Sequence, residues 1–188
     1  MTQRFPRLTP ETMSQAQQEA AAEIAAGPRG EVRGPFLALI HNAGLARRMQ
    51  ALGEHLRWHN ALPLPLLELA VLFTARRWSC QHEWYMHEKL ARKAQLAPGI
   101  IEALAEGREP QGMSADEALV YAACRQAHAT GRLEDATFAG LRERFGLAGV
   151  LDLLVLNGYY SAMAMVLNTA GMPLPDGAAP PLAALSSA

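Results

Sequence analysis

The chain of 188 residues is half hydrophobic, 19% charged, and has a formal net charge of −1. This length fits one domain with a sizeable core, and the near-neutral charge, without a stripe of basic residues, argues against nucleic acid as the main partner. Cys80 and Cys124 form neither a disulfide framework nor a zinc-binding pattern. The first ten residues lack the apolar segment of a secretory signal, so we expect a cytoplasmic protein.

The first third of the sequence predicts three helices. The pair Thr9 and Pro10 is typical of a helix start and predicts a helix over residues 9–26. A short helix is expected over residues 36–42, and an amphipathic helix over residues 45–60. Four apolar side chains are expected on the buried face of this amphipathic helix: Leu45, Met49, Leu52 and Leu56.

The densest set of reactive side chains lies between residues 64 and 94. The segment begins as an apolar helical pattern interrupted by one acid, Glu68, whose neighbours on the helix surface are all Leu or Val. Burying an unpaired carboxylate costs several kcal/mol, so such a group finds a partner or holds its proton, and Glu68 is a candidate proton carrier. Two alternatives remain open: a solvated residue at the helix edge, or a structural partner of Arg76 or Arg77.

The second half of this segment predicts a new helix. Ser79 is the expected N-cap, which places Cys80 in the first turn, where the helix dipole favours a thiolate. Cys80, Glu83 and His87 then share one helix face and form an acid–base set. The alternative is an ordinary amphipathic helix with Trp84 in the core and the histidine at the surface. The nearby acid on the preceding helix favours the functional interpretation.

The rest of the chain predicts further helices and no strand. The helices are expected over residues 99–105, 114–130, 134–145 and 147–169. Ser114 and Glu117 form a capping-box signature, and Gly146 is the expected C-cap that separates the last two helices. These patterns together predict an all-α domain of packed antiparallel helices.

Three features of the chain after residue 120 have competing interpretations. Residues 147–172 are apolar enough to resemble a membrane span, but polar residues such as Asp152 interrupt them, which favours a core or subunit-interface helix. Cys124 is expected to be a small buried residue, and His128, four positions later, gives only weak support for a metal site. Residues 171–188 are rich in Pro, Ala and Ser and predict an extended, poorly ordered tail.

The reactive segment resembles the carboxymuconolactone decarboxylase/alkylhydroperoxidase-D-like (AhpD-like) family. In the peroxidase branch a Glu precedes a Cys-x-x-Cys-x-x-x-His motif by twelve residues, and Glu68, Cys80 and His87 have this spacing. The second motif cysteine is replaced by Glu83, and the sequence CQHEWYMH is similar to the decarboxylase-like branch. Gly34-Pro35-Phe36 and His41-Asn42-Ala43 resemble the N-terminal segment of the family, and Asn157-Gly158-Tyr159-Tyr160 resembles its C-terminal helix. The resemblance spans roughly residues 32–175.

The resemblance implies an AhpD-like bundle of about six to eight helices. It also implies assembly into trimers or hexamers, with a dimer as a further option, and pockets near the helix that carries the cysteine and the histidine. The chain then divides into an N-terminal helix and arm (residues 1–30), the family domain (31–170) and the tail (171–188). The apolar excess of residues 62–73 and 147–172 independently favours a homo-oligomer, whose interface would bury it.

Three functions are consistent with this set of residues. The first is a cofactor-free and metal-free lyase that decarboxylates a small lactone or keto acid, with no nucleic acid or membrane partner. An enolate-like anion would need stabilising groups and then a proton. The expected catalytic residues are Glu68, Cys80, Glu83 and His87, and the expected substrate contacts are Arg33, His41, Trp84 and Tyr159. The second is a thiol peroxidase, which lacks a neighbouring resolving cysteine. The third is a non-catalytic binding or assembly module.

Overall fold

The computed structural model describes residues 4–184, without the side chain of Asp176, and this part of the chain is all-α, as predicted. Residues 4–184 form eight α-helices and no strand. The elements are α1 (Gln15–Ala26), α2 (Phe36–Leu39), α3 (Ala43–Trp58), α4 (Leu64–Arg77), α5 (Gln81–Lys93), α6 (Pro98–Ala105), α7 (Ala115–Thr130) and α8 (Asp135–Ala170), followed by a 3₁₀ turn at Pro175–Gly177. The described part divides into two compact units: residues 4–59 with 165–173, and residues 60–164 with 174–184.

The start of the first helix differs from the prediction. Thr9 and Thr12 close a turn of their own through side-chain and backbone hydrogen bonds, so no helix begins at Thr9. Helix α1 begins instead after Ser14, whose hydroxyl accepts from the Gln17 backbone N–H while the Gln17 side chain accepts from the Ser14 N–H. This reciprocal capping box satisfies two backbone donors at the start of α1.

In the first unit, α1 and α2 pack against α3. The prediction for the buried face of α3 is partly wrong, because Leu45 and Leu52 are exposed. Apart from Leu56, which is buried as predicted, the buried side of α3 consists of Ala46, Gln50 and Gly53. The hydrophobicity of the leucines therefore does not decide which side of α3 is buried.

The second unit is built around α4, which packs against α5, α6 and α7. Its central residues Leu69 to Leu72 are completely buried, as expected for a helix that is apolar on nearly every side. Helix α7 has the predicted Ser114–Glu117 capping box and ends at Gly131, whose φ of 71° is the left-handed conformation that a helix C-cap glycine provides.

Gly146 interrupts α8, as predicted. Its φ of 69° and ψ of 177° are non-helical, so residues 135–145 and 147–170 form two arms of one long helix. By length and composition α8 is the one helix within residues 4–184 that could cross a membrane. Half of its most apolar window is buried within the protein, and a single helix of this kind is weak evidence for a membrane span.

The prediction of a poorly ordered tail is wrong for the described residues up to 184. Leu182 is buried, and its backbone N–H and C=O both pair with the Gln81 side chain, each at 2.8 Å. The Ala183 carbonyl accepts a hydrogen bond from Nη1 of Arg76 at 2.9 Å. These contacts attach the tail to α4 and α5. The part of the prediction that concerns residues 185–188 lies outside the described residues.

Candidate functional site

The turn between α4 and α5 brings the predicted acid–base residues together. The backbone N–H groups of Ser79 and Cys80 donate to the carbonyls of Arg76 and Ala75, which is the hydrogen-bond pattern of a Schellman motif. Ser79 takes the left-handed position with φ of 45°. The N-cap of α5 is therefore Cys80, not Ser79 as predicted, because Ser79 is needed to end α4.

The centre of the candidate site is His87, which lies between two buried carboxylates. Its Nδ1 atom is 2.7 Å from Oε2 of Glu68, and its Nε2 atom is 3.4 Å from Oε2 of Glu83. The three residues are 4%, 2% and 5% exposed, respectively. The expectation that Glu68 faces the Glu83–His87 side of α5 is confirmed, and neither Arg76 nor Arg77 is its partner.

This arrangement places one carboxylate on each side of a single imidazole ring. Nδ1 of His87 forms a hydrogen bond with Glu68, and the 3.4 Å between Nε2 and Oε2 of Glu83 is the distance of an ion pair when the ring is protonated. An imidazole flanked in this way can pass a proton from one side to the other, which is the property of a proton relay.

Two tyrosines of α8 extend the site. The ring of Tyr160 meets the His87 ring edge to face at a centroid distance of 5.0 Å, and the Tyr159 ring meets Tyr160 in the same manner at 5.4 Å. The sequence reasoning selected Tyr159 and missed Tyr160. The adjacent Tyr-Tyr pair was the available signal, but nothing in the sequence indicated which ring reaches the imidazole.

Trp84 lies in the core, as the alternative interpretation of α5 expected. It is almost completely buried, and its Nε1–H donates to Oε2 of Glu88 at 3.0 Å. Its contact with substrate stays a prediction. The same alternative interpretation placed His87 at the surface, and this is wrong, because His87 is buried.

The expectation of a thiolate at Cys80 is wrong. Burial raises the pKa of the Cys80 thiol to about 12, and the nearby charge of Glu83 also raises it, whereas the backbone N–H groups of Glu83 and His82 act in the opposite direction. The predicted gain from the helix dipole is thus smaller than the cost of removing a thiolate from water. Cys124 is also buried, as expected, and burial raises its pKa to about 12. Both cysteines are free.

The two predicted substrate contacts Arg33 and His41 belong to the first unit. Arg33 is exposed and pairs with Glu31 at 3.2 Å. The Nε2 atom of His41 lies 3.0 Å from the Pro6 carbonyl oxygen, and its ring contacts Phe5. Their roles in binding substrate stay predictions.

A second polar cluster lies between α4, α7 and α8, and sequence reasoning missed it. The Nε2 atom of His128 is 3.1 Å from the Thr74 hydroxyl and 3.0 Å from Oδ1 of Asn157. Burial lowers the pKa of His128, although its hydrogen bond with Asn157 acts in the opposite direction. A neutral imidazole that donates to an amide oxygen is a satisfied structural group. Within residues 4–184, no group of three or more His, Cys, Asp or Glu side chains could hold a metal ion.

Comparison with known proteins identifies the fold. A crystal structure from Ralstonia eutropha, described as an alkylhydroperoxidase AhpD core and an uncharacterized peroxidase-related protein, matches this chain with a TM-score of 0.73. The match covers 92% of each chain at 20% sequence identity. No protein-family model matches the sequence, and no curated protein matches it. The AhpD-like fold implied by the motif resemblance is thereby confirmed, and the match does not separate the peroxidase branch from the decarboxylase-like branch.

Proposed function

We propose that the protein is a cofactor-free enzyme that transfers protons in small carbonyl compounds, most simply a carboxy-lyase acting on a lactone or keto acid. The observation that carries this proposal is the imidazole of His87 between the buried carboxylates of Glu68 and Glu83. A buried group that holds a proton within hydrogen bonds is suited to general acid–base catalysis.

The chemical step follows from this arrangement. Cleavage of the carbon–carbon bond of a β-keto acid releases carbon dioxide and leaves the electron pair on the α-carbon as an enolate. The cluster donates one of its protons to that carbon, and the proton is replaced from water. Tyr160 would border the ring that delivers the proton. The expected roles of Arg33 and His41 as substrate contacts stay predictions. No cofactor is required for this step.

Thiol peroxidase activity is the second candidate, because the similar structure is described as peroxidase-related. Such a reaction requires a thiolate that attacks the peroxide and a second thiol that resolves the product. With the pKa of Cys80 raised to about 12 and Glu83 in the place of the second motif cysteine, the described residues support this chemistry poorly.

We also propose a homo-oligomer in the cytoplasm. Three apolar side chains spaced four residues apart on α8 are exposed in the single chain: Leu147, Leu151 and Val155. Residues four apart lie on one side of a helix, so these three form a stripe that a second copy would cover.

The deciding experiment follows candidate β-keto acids and lactones by proton NMR in D₂O. The wild-type protein should release carbon dioxide from at least one of them and place one deuterium on the product carbon. In a parallel assay, the protein is tested for reduction of hydroperoxides in the presence of a dithiol reductant. Hydroperoxide reduction without any decarboxylation or deuterium exchange would show the proton-transfer assignment to be wrong.

A further inference from the structure

A cavity of ≈ 220 Å³ lies where α4 and α6 end, beside α7. Four arginines line it, namely Arg76, Arg77, Arg108 and Arg125. Phe73 and Tyr121 form its apolar wall, with their rings edge to face at a centroid distance of 5.5 Å. The mechanism proposed above uses none of these residues.

The charge around the cavity remains positive after its acidic neighbours are counted. Arg108 pairs with Glu106, and the charge of Glu109 contributes to the raised pKa of Tyr121. Within residues 4–184, Arg76, Arg77 and Arg125 form no ion pair with an acid. Basic residues in the last turn of a helix interact favourably with its dipole, which explains an exposed Arg77 without any ligand.

That explanation does not extend to Arg76. Its side chain is buried, with only 5% of the residue exposed, and one nitrogen, Nη1, donates to the Ala183 carbonyl. Its Nε–H is buried and has no acceptor within the described residues. A buried guanidinium without an acidic partner is unfavourable, and an anion in the adjoining cavity would supply the missing negative charge. The planar fork of an arginine matches a carboxylate in a bidentate manner, as it does a phosphate, and the two aromatic rings of the cavity wall favour a carboxylate that carries a ring.

We propose that this cavity binds a small aromatic carboxylate, with the carboxylate against Arg76 and the ring against Phe73 and Tyr121. The cavity is smaller than the roughly 300–1,000 Å³ of sites for drug-sized ligands, so a single substituted ring is the appropriate size. Arg76 follows Glu68 by eight residues on α4, about 12 Å along the helix axis. The cavity is therefore a binding site separate from the Glu68–His87–Glu83 cluster.

Calorimetric titration with benzoate tests this site, with benzamide as the neutral analogue and inorganic phosphate as the anion without a ring. Benzoate should bind one per chain, and both comparison compounds at least about tenfold more weakly. Arg76→Lys, which keeps the charge but removes the planar fork, should weaken benzoate binding at least about tenfold. Arg77→Gln combined with Arg125→Gln, both at exposed positions, should weaken it several-fold without affecting folding. Arg132→Gln, at another exposed arginine, should have no effect.

Each other outcome contradicts the proposal. Equal binding of benzamide would exclude recognition of charge, and equal binding of phosphate would exclude recognition of the ring. Unchanged affinity in the double arginine variant would exclude the cavity, even if Arg76→Lys failed to fold. Glu68→Gln should leave benzoate binding unchanged. Loss of binding in that variant would assign the ligand to the proton-transfer cluster instead, whereas failure of the decarboxylation test would leave this site unaffected.

Discussion

Nδ1 of His87 lies 2.7 Å from Oε2 of Glu68, although the two residues are nineteen positions apart and lie on different helices. The contact exists because α4 and α5 are joined by a turn so short that the helices pack side by side. A polar pair in the interior is expensive to maintain unless its members are hydrogen-bonded, and these two side chains are bonded to each other. Its partners are therefore the first residues to test.

Replacing Glu68 by Gln should lower turnover by about 100-fold or more, because the imidazole loses the carboxylate that holds its proton. His87→Ala should have an effect of similar size. The measurement is kcat together with circular dichroism, which should show unchanged helix content. Glu88→Gln is the matched control, since this acid of α5 pairs with Trp84 and Arg92 outside the cluster. Full turnover in Glu68→Gln would rule out the relay.

Cys80 should react slowly with iodoacetamide in the native protein. With a pKa of about 12, only about one thiol in 10⁴ is ionised at pH 8, and burial restricts access further. Alkylation is measured by mass spectrometry before and after unfolding, and Cys80→Ala should retain most of the lyase activity. Fast labelling of the folded protein, or loss of nearly all turnover in Cys80→Ala with the fold intact, would favour thiol chemistry.

The free energy of unfolding should fall at high pH because of the two buried thiols. Their ordinary pKa is 9.0 and their folded value is about 12, so between these values the unfolded chain releases protons that the folded chain keeps. Stability is fully retained below pH 9 and decreases above it by up to about 1.4 kcal/mol per pH unit for each thiol. Urea unfolding of wild-type protein and Cys124→Ala between pH 8 and 11 measures this. The expectation would be contradicted if the free energy of unfolding fell equally with pH in wild-type protein and in Cys124→Ala.

Leu151→Glu should shift the protein to a smaller species if α8 forms the interface of an oligomer. Leu151 is 62% exposed in the single chain and occupies the middle of the stripe, so a buried charge there would be unpaired. Sedimentation velocity at micromolar concentration gives the assembly state, with Ala136→Glu, at an exposed position in the arm of α8 before Gly146, as the control. A wild-type protein that sediments as a monomer would exclude the oligomer.

Local signals predicted the parts of the fold that local physics determines. The capping box of α7, its glycine C-cap and the break at Gly146 depend on residues within a few positions of one another. The contact of Glu68 with α5 was predictable because the turn between the helices is short. The buried face of α3 was not predictable in this way, because hydrophobicity favours the leucines, whereas the buried side of the helix carries Ala46, Gln50 and Gly53.

The second polar cluster, formed by Thr74, His128 and Asn157, could not be predicted from local signals. Thr74 meets His128 across 54 positions and Asn157 across 83. Each residue is unremarkable in its own helix, and only the packing of three helices makes them a hydrogen-bonded set. The buried Arg76 was also hidden, because an arginine near the end of a helix is normally solvated.

The attachment of Leu182 to Gln81 has a consequence for how the second unit forms. The two residues are 101 positions apart, and Ala183 follows Arg76 by 107. During synthesis, α4 and α5 are therefore complete long before the segment that covers Gln81 and Arg76 leaves the ribosome. At a typical rate of about 5–20 residues per second, these side chains wait at least several seconds without their final partners. A nascent chain halted before residue 182 would keep this surface open to chaperones.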